Sequence, residues 1–192
     1  MSATVGILEH FGRLFDFKGR EDRASFWPYA ALVFVIVMVV GMIIFLPMMA
    51  HTMRAMQQYA VQHPDQVAVS SGPGSYSMSV HGNPPGIMPP ESSFAVYLGV
   101  TFGLSVLFYA AAVVRRLHDR GMPGWWGLMP LPFIAYSSIQ MPRMFSFVGN
   151  QPDMTIFYSI FFSNMLYLIT LIVLIVLLAG ASNPESSRFD AS

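Results

Sequence analysis

From Trp27 to Met49 the chain reads WPYAALVFVIVMVVGMIIFLPMM, 23 residues without a charge. As a helix rising 1.5 Å per residue this stretch is about 34 Å long, enough to cross a hydrocarbon core of roughly 30 Å. The uncharged context extends from Ala24 to Met53. Three more such runs follow. Phe94–Val114 has 21 residues and stops at Arg115-Arg116, and Ile156–Ala179 has 24. Trp125–Ile139 has only 15, carries Pro130 and Pro132, and reads as a short span extended to Met141 or as a re-entrant segment.

The composition agrees with these runs. Charged residues make up 10% of the chain and mean hydropathy is +0.53, where a soluble domain carries about 25% charge. Ten basic and ten acidic side chains cancel, so no basic excess points to nucleic acid. The absence of cysteine excludes a disulfide framework and thiolate chemistry. No cleavable leader is expected, because the first apolar run is too long and starts too far from Met1.

The expected fold is an all-α membrane protein with four transmembrane helices, preceded by an N-terminal amphipathic interfacial helix. Residues 1–23 form the leading segment, with spans at 24–50, 93–114, 125–141 and 155–179. Between them lie a long, mostly disordered loop at 51–92, begun by a continuation of the first helix through Arg54 to Val61, a short loop at 115–124 and another at 142–154, and a tail follows at 180–192. Four crossings place eight basic residues on one side (Arg13, Lys18, Arg20, Arg23, Arg115, Arg116, Arg120 and Arg188) and only Arg54 and Arg143 on the other. The positive-inside rule then puts both termini in the cytoplasm.

Residues 4–16 hold Ile7, Leu8, Phe11, Leu14 and Phe15 within one arc of a helix, opposite Glu9, Arg13 and Asp16. Such a helix lies in the membrane interface or docks a soluble partner. In the long loop, Ser70–Ser75 and Asn83–Pro90 are turn and polyproline chemistry. His51, His63 and His81 there define no rigid metal site. Along the second span, Ala95, Gly99 and Gly103 repeat at four-residue spacing and are read as a helix-packing groove, more readily within the protein than between copies.

Chemistry concentrates in two boxes. The first, FKGREDRASFW, spans Phe17–Trp27. On a helix its Arg20 and Arg23 share a face, with Trp27 placed to cover Arg23, Gly19 at a turn, and Ser25 as cap with Pro28 in the first turn. The second, RRLHDRGMPGWW, spans Arg115–Trp126. Asp119 can pair with Arg115 or Arg116, Gly121 is the left-handed residue that stops the helix, and Pro123-Gly124 turns toward Trp125 and Trp126 at an interface.

Three roles compete for this charged face: a topological and structural one, a site for anionic lipid headgroups or a partner, and catalysis by His118 with Asp119. Neighbours on a helix diverge by about 100°, which disfavours that dyad. The binding surface is therefore assigned to Arg20, Arg23, Trp27, Arg115, Arg116, His118, Asp119, Trp125 and Trp126. No catalytic residue, metal or cofactor is assigned, and partners are anionic headgroups, another membrane protein or a second copy. The alternative is a small transporter or channel, although polar candidates near the bilayer midplane are sparse, Thr101 and Ser105 in the second span and Ser163, Asn164 and Thr170 in the fourth, and none is charged.

Together the boxes resemble those of the small bacterial inner-membrane proteins of domain-of-unknown-function family 805, which includes the YhaH-like proteins. Phe17, Gly19, Arg20, Arg23, Phe26 and Trp27 match its first motif. Arg115, Arg116, Leu117, His118, Asp119, Gly121, Gly124, Trp125 and Trp126 match its second. The resemblance implies a four-span membrane protein with no assigned activity. The loop 51–92 is longer than is usual in the family, and Ser187-Arg188-Phe189-Asp190 stands where an Asn-Arg-Tyr-Gly-like tail is common. The function expected from all this is non-enzymatic: an inner-membrane component supporting envelope integrity or a membrane complex.

Overall fold

A computed structural model describes residues 3–72, 75–80, 89–146 and 154–183. Five α-helices form in chain order: α1 Ala3–Gly12, α2 Arg23–Gln62, α3 Glu91–Asp119, α4 Leu131–Ser146 and α5 Met154–Ala179. A 3₁₀ turn, Gly124–Leu128, precedes α4, and strands β1 Val67–Gly72 and β2 Ser75–Val80 follow α2. Among the described residues three helices are long and apolar enough to cross a membrane: Arg23–Gln62, Ser92–Asp119 and Met154–Ala179. The chain is a membrane protein, and its outward apolar side chains, such as Phe34, Ile43 and Val176, are what lipid solvates.

The helix α2 has 40 residues, about 60 Å, so its far end to Gln62 overshoots any hydrocarbon core. Its cap is Asp22, whose side chain accepts from the Ser25 amide at 2.9 Å, and not Ser25 as the sequence implied. Pro28 thus sits six residues into the helix, beyond the first turn. Arg20 lies outside the helix, so it shares no helical face with Arg23.

The helices α2 and α3 run antiparallel. Tyr29 Oη donates to the Phe108 carbonyl and Tyr109 Oη to that of Ala30, each at 2.7 Å, while Gly41 faces Thr101 and Phe45 faces Tyr97. Phe26, Tyr29, Ala30, Val33, Ala112, Leu117, Leu174 and Leu178 form a core at the end where α2 begins and α3 and α5 finish. The helix α4 packs along α5, with Ser163 Oγ donating to the Phe133 carbonyl at 2.9 Å. That bond ties the start of α4 to a point nine residues into α5. Parallel helices would leave their joined ends more than 30 Å apart, beyond the reach of the seven residues between Ser146 and Met154, so α4 runs back against α5.

Three expectations are corrected. The third apolar segment is not one helix from Trp125: its first residues form the 3₁₀ turn, and α4 starts at Leu131 and continues to Ser146. Pro130 and Pro132 favour a break here, since each lacks an amide to donate and biases the residue before it away from the helical region, and Pro132 is then accommodated in the first turn of α4. With 16 residues α4 is about 24 Å long. The loop 51–92 begins with the end of α2, which continues to Gln62 as expected, but among its described residues it also holds an antiparallel hairpin where mostly disordered chain was expected, a small addition to an otherwise helical architecture. Its register sets Val67 opposite Val80 and Val69 opposite Met78, a period-two alternation that the turn residues obscured. His81 and the Asn83–Met88 stretch lie outside the described residues.

The third correction concerns Ala95, Gly99 and Gly103, which are partly exposed or exposed rather than packed inside. No described atom lies within 4 Å of a Cβ built on Gly99 or Gly103, whereas one on Gly41 meets Thr101 Cγ2 at 3.3 Å. Closer approaches fall at Gly180, against the Arg120 guanidinium, and at Gly124 and Gly127, where a Cβ would stand 2.7 Å and 2.9 Å from the methyls of Val114 and Val113. Gly124→Ala is therefore expected to cost about 1–3 kcal/mol, because valine is stiff at χ1 and cannot turn aside. Gly99→Leu should leave the stability of the solubilised protein within about 0.5 kcal/mol of wild type. Thermal unfolding of both variants in the same detergent checks the pair.

Candidate functional site

Both boxes meet at the core end of the bundle. The helix α3 ends in a Schellman turn: the Met122 amide donates to the Leu117 carbonyl at 2.9 Å and that of Gly121 to His118 at 2.8 Å, with Gly121 at φ +72°. Met122 then folds onto the core beside Leu117. This termination presents Arg115, Arg116 and Asp119 toward the chain segments that flank α2 and α5. Gly19, at φ +82°, provides the expected turn in the first box and lets residues 20–22 run back to α3, where the Glu21 amide donates to the Arg115 carbonyl at 3.3 Å.

The two adjacent arginines diverge. Arg115 is 1% exposed and serves the N-terminal side. Its Nε donates to Glu21 Oε2 at 2.9 Å, and its Nη1 to the carbonyls of Arg13 at 3.0 Å and Asp16 at 2.5 Å. The other oxygen of Glu21 accepts from His10 Nε2 at 2.7 Å, while His10 Nδ1 faces the Gly6 carbonyl at 2.6 Å. His10 also stacks on Tyr29 at 4.5 Å, and Phe11 packs edge-on to Tyr29 and Phe108. The helix α1 is thereby docked to the bundle.

Arg116 is fully buried and serves the C-terminal side. Its Nε donates to the Leu178 carbonyl at 2.9 Å and its Nη2 to that of Gly180 at 2.5 Å. Its Nη1 reaches Asp119 Oδ2, the Glu21 carbonyl and Ser182 Oγ. Arg120 Nη1 donates to the Ala181 carbonyl at 2.6 Å, and Arg20 Nη2 to that of Asn183 at 2.8 Å. Three arginines from other elements thus bond the Leu178 carbonyl, one of those the last turn of α5 leaves without a helical partner, and the carbonyls of Gly180, Ala181 and Asn183 just beyond the helix. Asp119 holds them together, accepting from Arg116, Arg20 and Ser182.

Of the residues expected to form one binding surface, the structure gathers Arg20, Arg115, Arg116 and Asp119 into this internal layer. Arg23, Trp27 and Trp125 stay exposed, with Trp27 edge-on to Phe26. Trp125 stacks on a half-buried Trp126 at 4.7 Å, and His118 is half-buried in the last turn of α3. Asp119 pairs with Arg116 and not with Arg115, one of the two options the spacing allowed.

Sequence reasoning missed Glu21 and His10. Two buried arginines beside a single aspartate call for a second acid, and Glu21 sits within the first box. His10 falls at the border of the apolar arc of α1. Of that arc, the side chains of Ile7 and Leu8 lie outside the described residues, Phe11 is packed and Phe15 is exposed. Arg13 holds the Asp16 carboxyl below the usual carboxylate range by a direct hydrogen bond, with help from the Lys18 amide. Ser187–Asp190 lies outside the described residues.

A family model with the description "Protein of unknown function (DUF805)" matches residues 14–191 and so takes in both boxes. No curated protein and no solved structure matches the chain.

Proposed function

This chain belongs to the DUF805 family of proteins of unknown function, and from that premise we propose a non-enzymatic inner-membrane protein of the bacterial envelope. It crosses the membrane four times with both termini in the cytoplasm, and its Arg/Trp end engages anionic headgroups as part of an envelope or membrane complex. The observation that carries this reading is the division among the motif side chains. Arg115, Arg116 and Asp119 are spent inside the fold, while Arg23, Trp27 and Trp125 face outward where the spans end. Guanidinium and indole groups at that depth suit phosphate headgroups and the interface.

Four crossings are supported by the meeting of the ends of α3 and α5 at one face, since α4 must carry the chain back between them. Catalysis by His118 and Asp119 is disfavoured because both carboxylate oxygens of Asp119 are occupied. A transport path is disfavoured because Thr101, Ser105, Asn164 and Thr170 donate to carbonyls of their own helices, and Ser163 to Phe133.

Arg23→Ala is expected to lower affinity for phosphatidylglycerol vesicles about fivefold, the worth of one basic residue near an anionic surface, and Trp125→Ala to lower it further. Unchanged binding in both variants, with loss of a co-purifying protein, would replace lipid by a protein partner. The cysteine-free chain permits a direct topology check: a single cysteine at Gln62 should react with an impermeant maleimide from outside, and one at Gly12 only after permeabilisation.

A further inference from the structure

We propose that the cavity between α1 and the start of α2 binds a group carrying both a phosphate and a primary ammonium, the headgroup chemistry of phosphatidylethanolamine. The cavity holds about 320 Å³, the small end of ligand sites and suited to a headgroup more than to a large metabolite. Its floor is the His10–Glu21–Arg115 cluster, already closed by its own bonds. Around it stand cations from Arg13 and Arg20 and anions from Glu9 and Asp22.

Several groups there retain capacity. Arg13 uses Nε and Nη2 on Asp16, which leaves its Nη1 edge. Ser25 Oγ lies 3.3 Å from His10 Nε2 and lines the cavity, and a hydroxyl carries both a proton to donate and lone pairs to accept. Exposed Glu9 forms no ion pair among the described residues.

The mixture of signs selects the ligand. An anion alone would be repelled by Glu9 and Asp22, and a cation alone by Arg13 and Arg20. A zwitterion meets both, its phosphate on Arg13, Arg20 and the Ser25 hydroxyl, and its ammonium on Glu9. A primary ammonium donates three hydrogen bonds to such a carboxylate, whereas a trimethylammonium offers none. The cavity includes Asp22 and Ser25, on either side of Ala24 where the uncharged run begins, which is the depth of headgroups, and Phe15 and Phe17 in the segment leading to it are exposed. This site is separate from the Arg23/Trp125 surface.

The test is native mass spectrometry of the full chain released from micelles holding equal phosphatidylethanolamine, phosphatidylcholine and phosphatidylglycerol. Wild type should retain the ethanolamine lipid about tenfold over the choline lipid. Glu9→Gln should erase that preference, and Arg13→Gln should reduce retention of the ethanolamine lipid. Both side chains are outside the core, and the Arg13 carbonyl that holds Arg115 remains, so unchanged unfolding temperatures are expected. Displacement by water-soluble glycerophosphoethanolamine would mean that the headgroup alone is read, and resistance to it, with the preference intact, would assign the ligand to the bilayer. Equal ethanolamine and choline adducts on wild type would overturn the proposal, as would a preference that survives Glu9→Gln. Dominance of phosphatidylglycerol, lost in Arg23→Ala, would overturn it while leaving the outer surface standing.

Discussion

Arg116→Ala is expected to destabilise the chain by about 3–5 kcal/mol, among the largest effects of any single substitution in it. The side chain is fully buried and bonds to the Leu178 and Gly180 carbonyls, to Asp119 and to Glu21 and Ser182. Alanine removes all of these at once. Asp119, 5% exposed, would keep only Arg20 and Ser182, and the end of α5 would lose its cap. Lysine retains the charge but not the planar fork that serves several acceptors, so Arg116→Lys should recover only part of the loss. Tryptophan fluorescence during heating in detergent should show the alanine variant melting roughly 10 °C lower. An unchanged melting temperature would contradict the burial argument.

Glu21→Ala should cost a similar 3–5 kcal/mol, for the opposite charge. The carboxylate lies between His10 and Arg115 and is 6% exposed. Its loss removes the carboxylate that bonds both His10 and Arg115 and leaves the buried Arg115 guanidinium without an anion. The helix α1 would then keep the packing of Phe11 and His10 on Tyr29 and the bonds from Arg115 to the carbonyls of Arg13 and Asp16, without the ionic link. Trypsin reports the release, because Lys18 and Arg20 lie in the segment that Glu21 anchors. Cleavage there should quicken at least tenfold, the kinetic counterpart of more than about 1.4 kcal/mol of local opening. If cleavage is no faster than in wild type, Glu21 does not anchor α1.

Much of this architecture was legible in residue order. Uncharged runs marked the three long helices, because lipid tolerates few charges and the signal is additive along the chain. Gly121 stopped α3, and Arg116 found Asp119 three residues on, because both depend only on neighbours within one helical turn.

What could not be read is what depends on distant partners. The acid that neutralises Arg115 lies 94 positions away, and most other acceptors in the layer are backbone carbonyls, which every residue possesses and no letter marks. The glycine spacing of Gly99 and Gly103 allowed a close helix contact without saying which face the bundle uses, and Gly41 and Gly124 supply such contacts instead. The motif arginines were assigned to a lipid surface on charge alone, and burial separates the exposed Arg23 from Arg115 and Arg116.

The central claim is that Arg115 secures the N-terminal segment and Arg116 the C-terminal one. Peptide-resolved hydrogen exchange on Arg115→Ala and Arg116→Ala, in detergent below their melting temperatures, tests it most directly. Two amides report the two sides: Glu21, which donates to the Arg115 carbonyl, and Asn183, which donates to that of Asp119. Arg115→Ala should speed exchange at residues 10–21 and leave 178–183 near wild type, and Arg116→Ala should speed exchange chiefly at 178–183. Both segments opening equally in both variants, or neither opening in either, would contradict a two-sided latch.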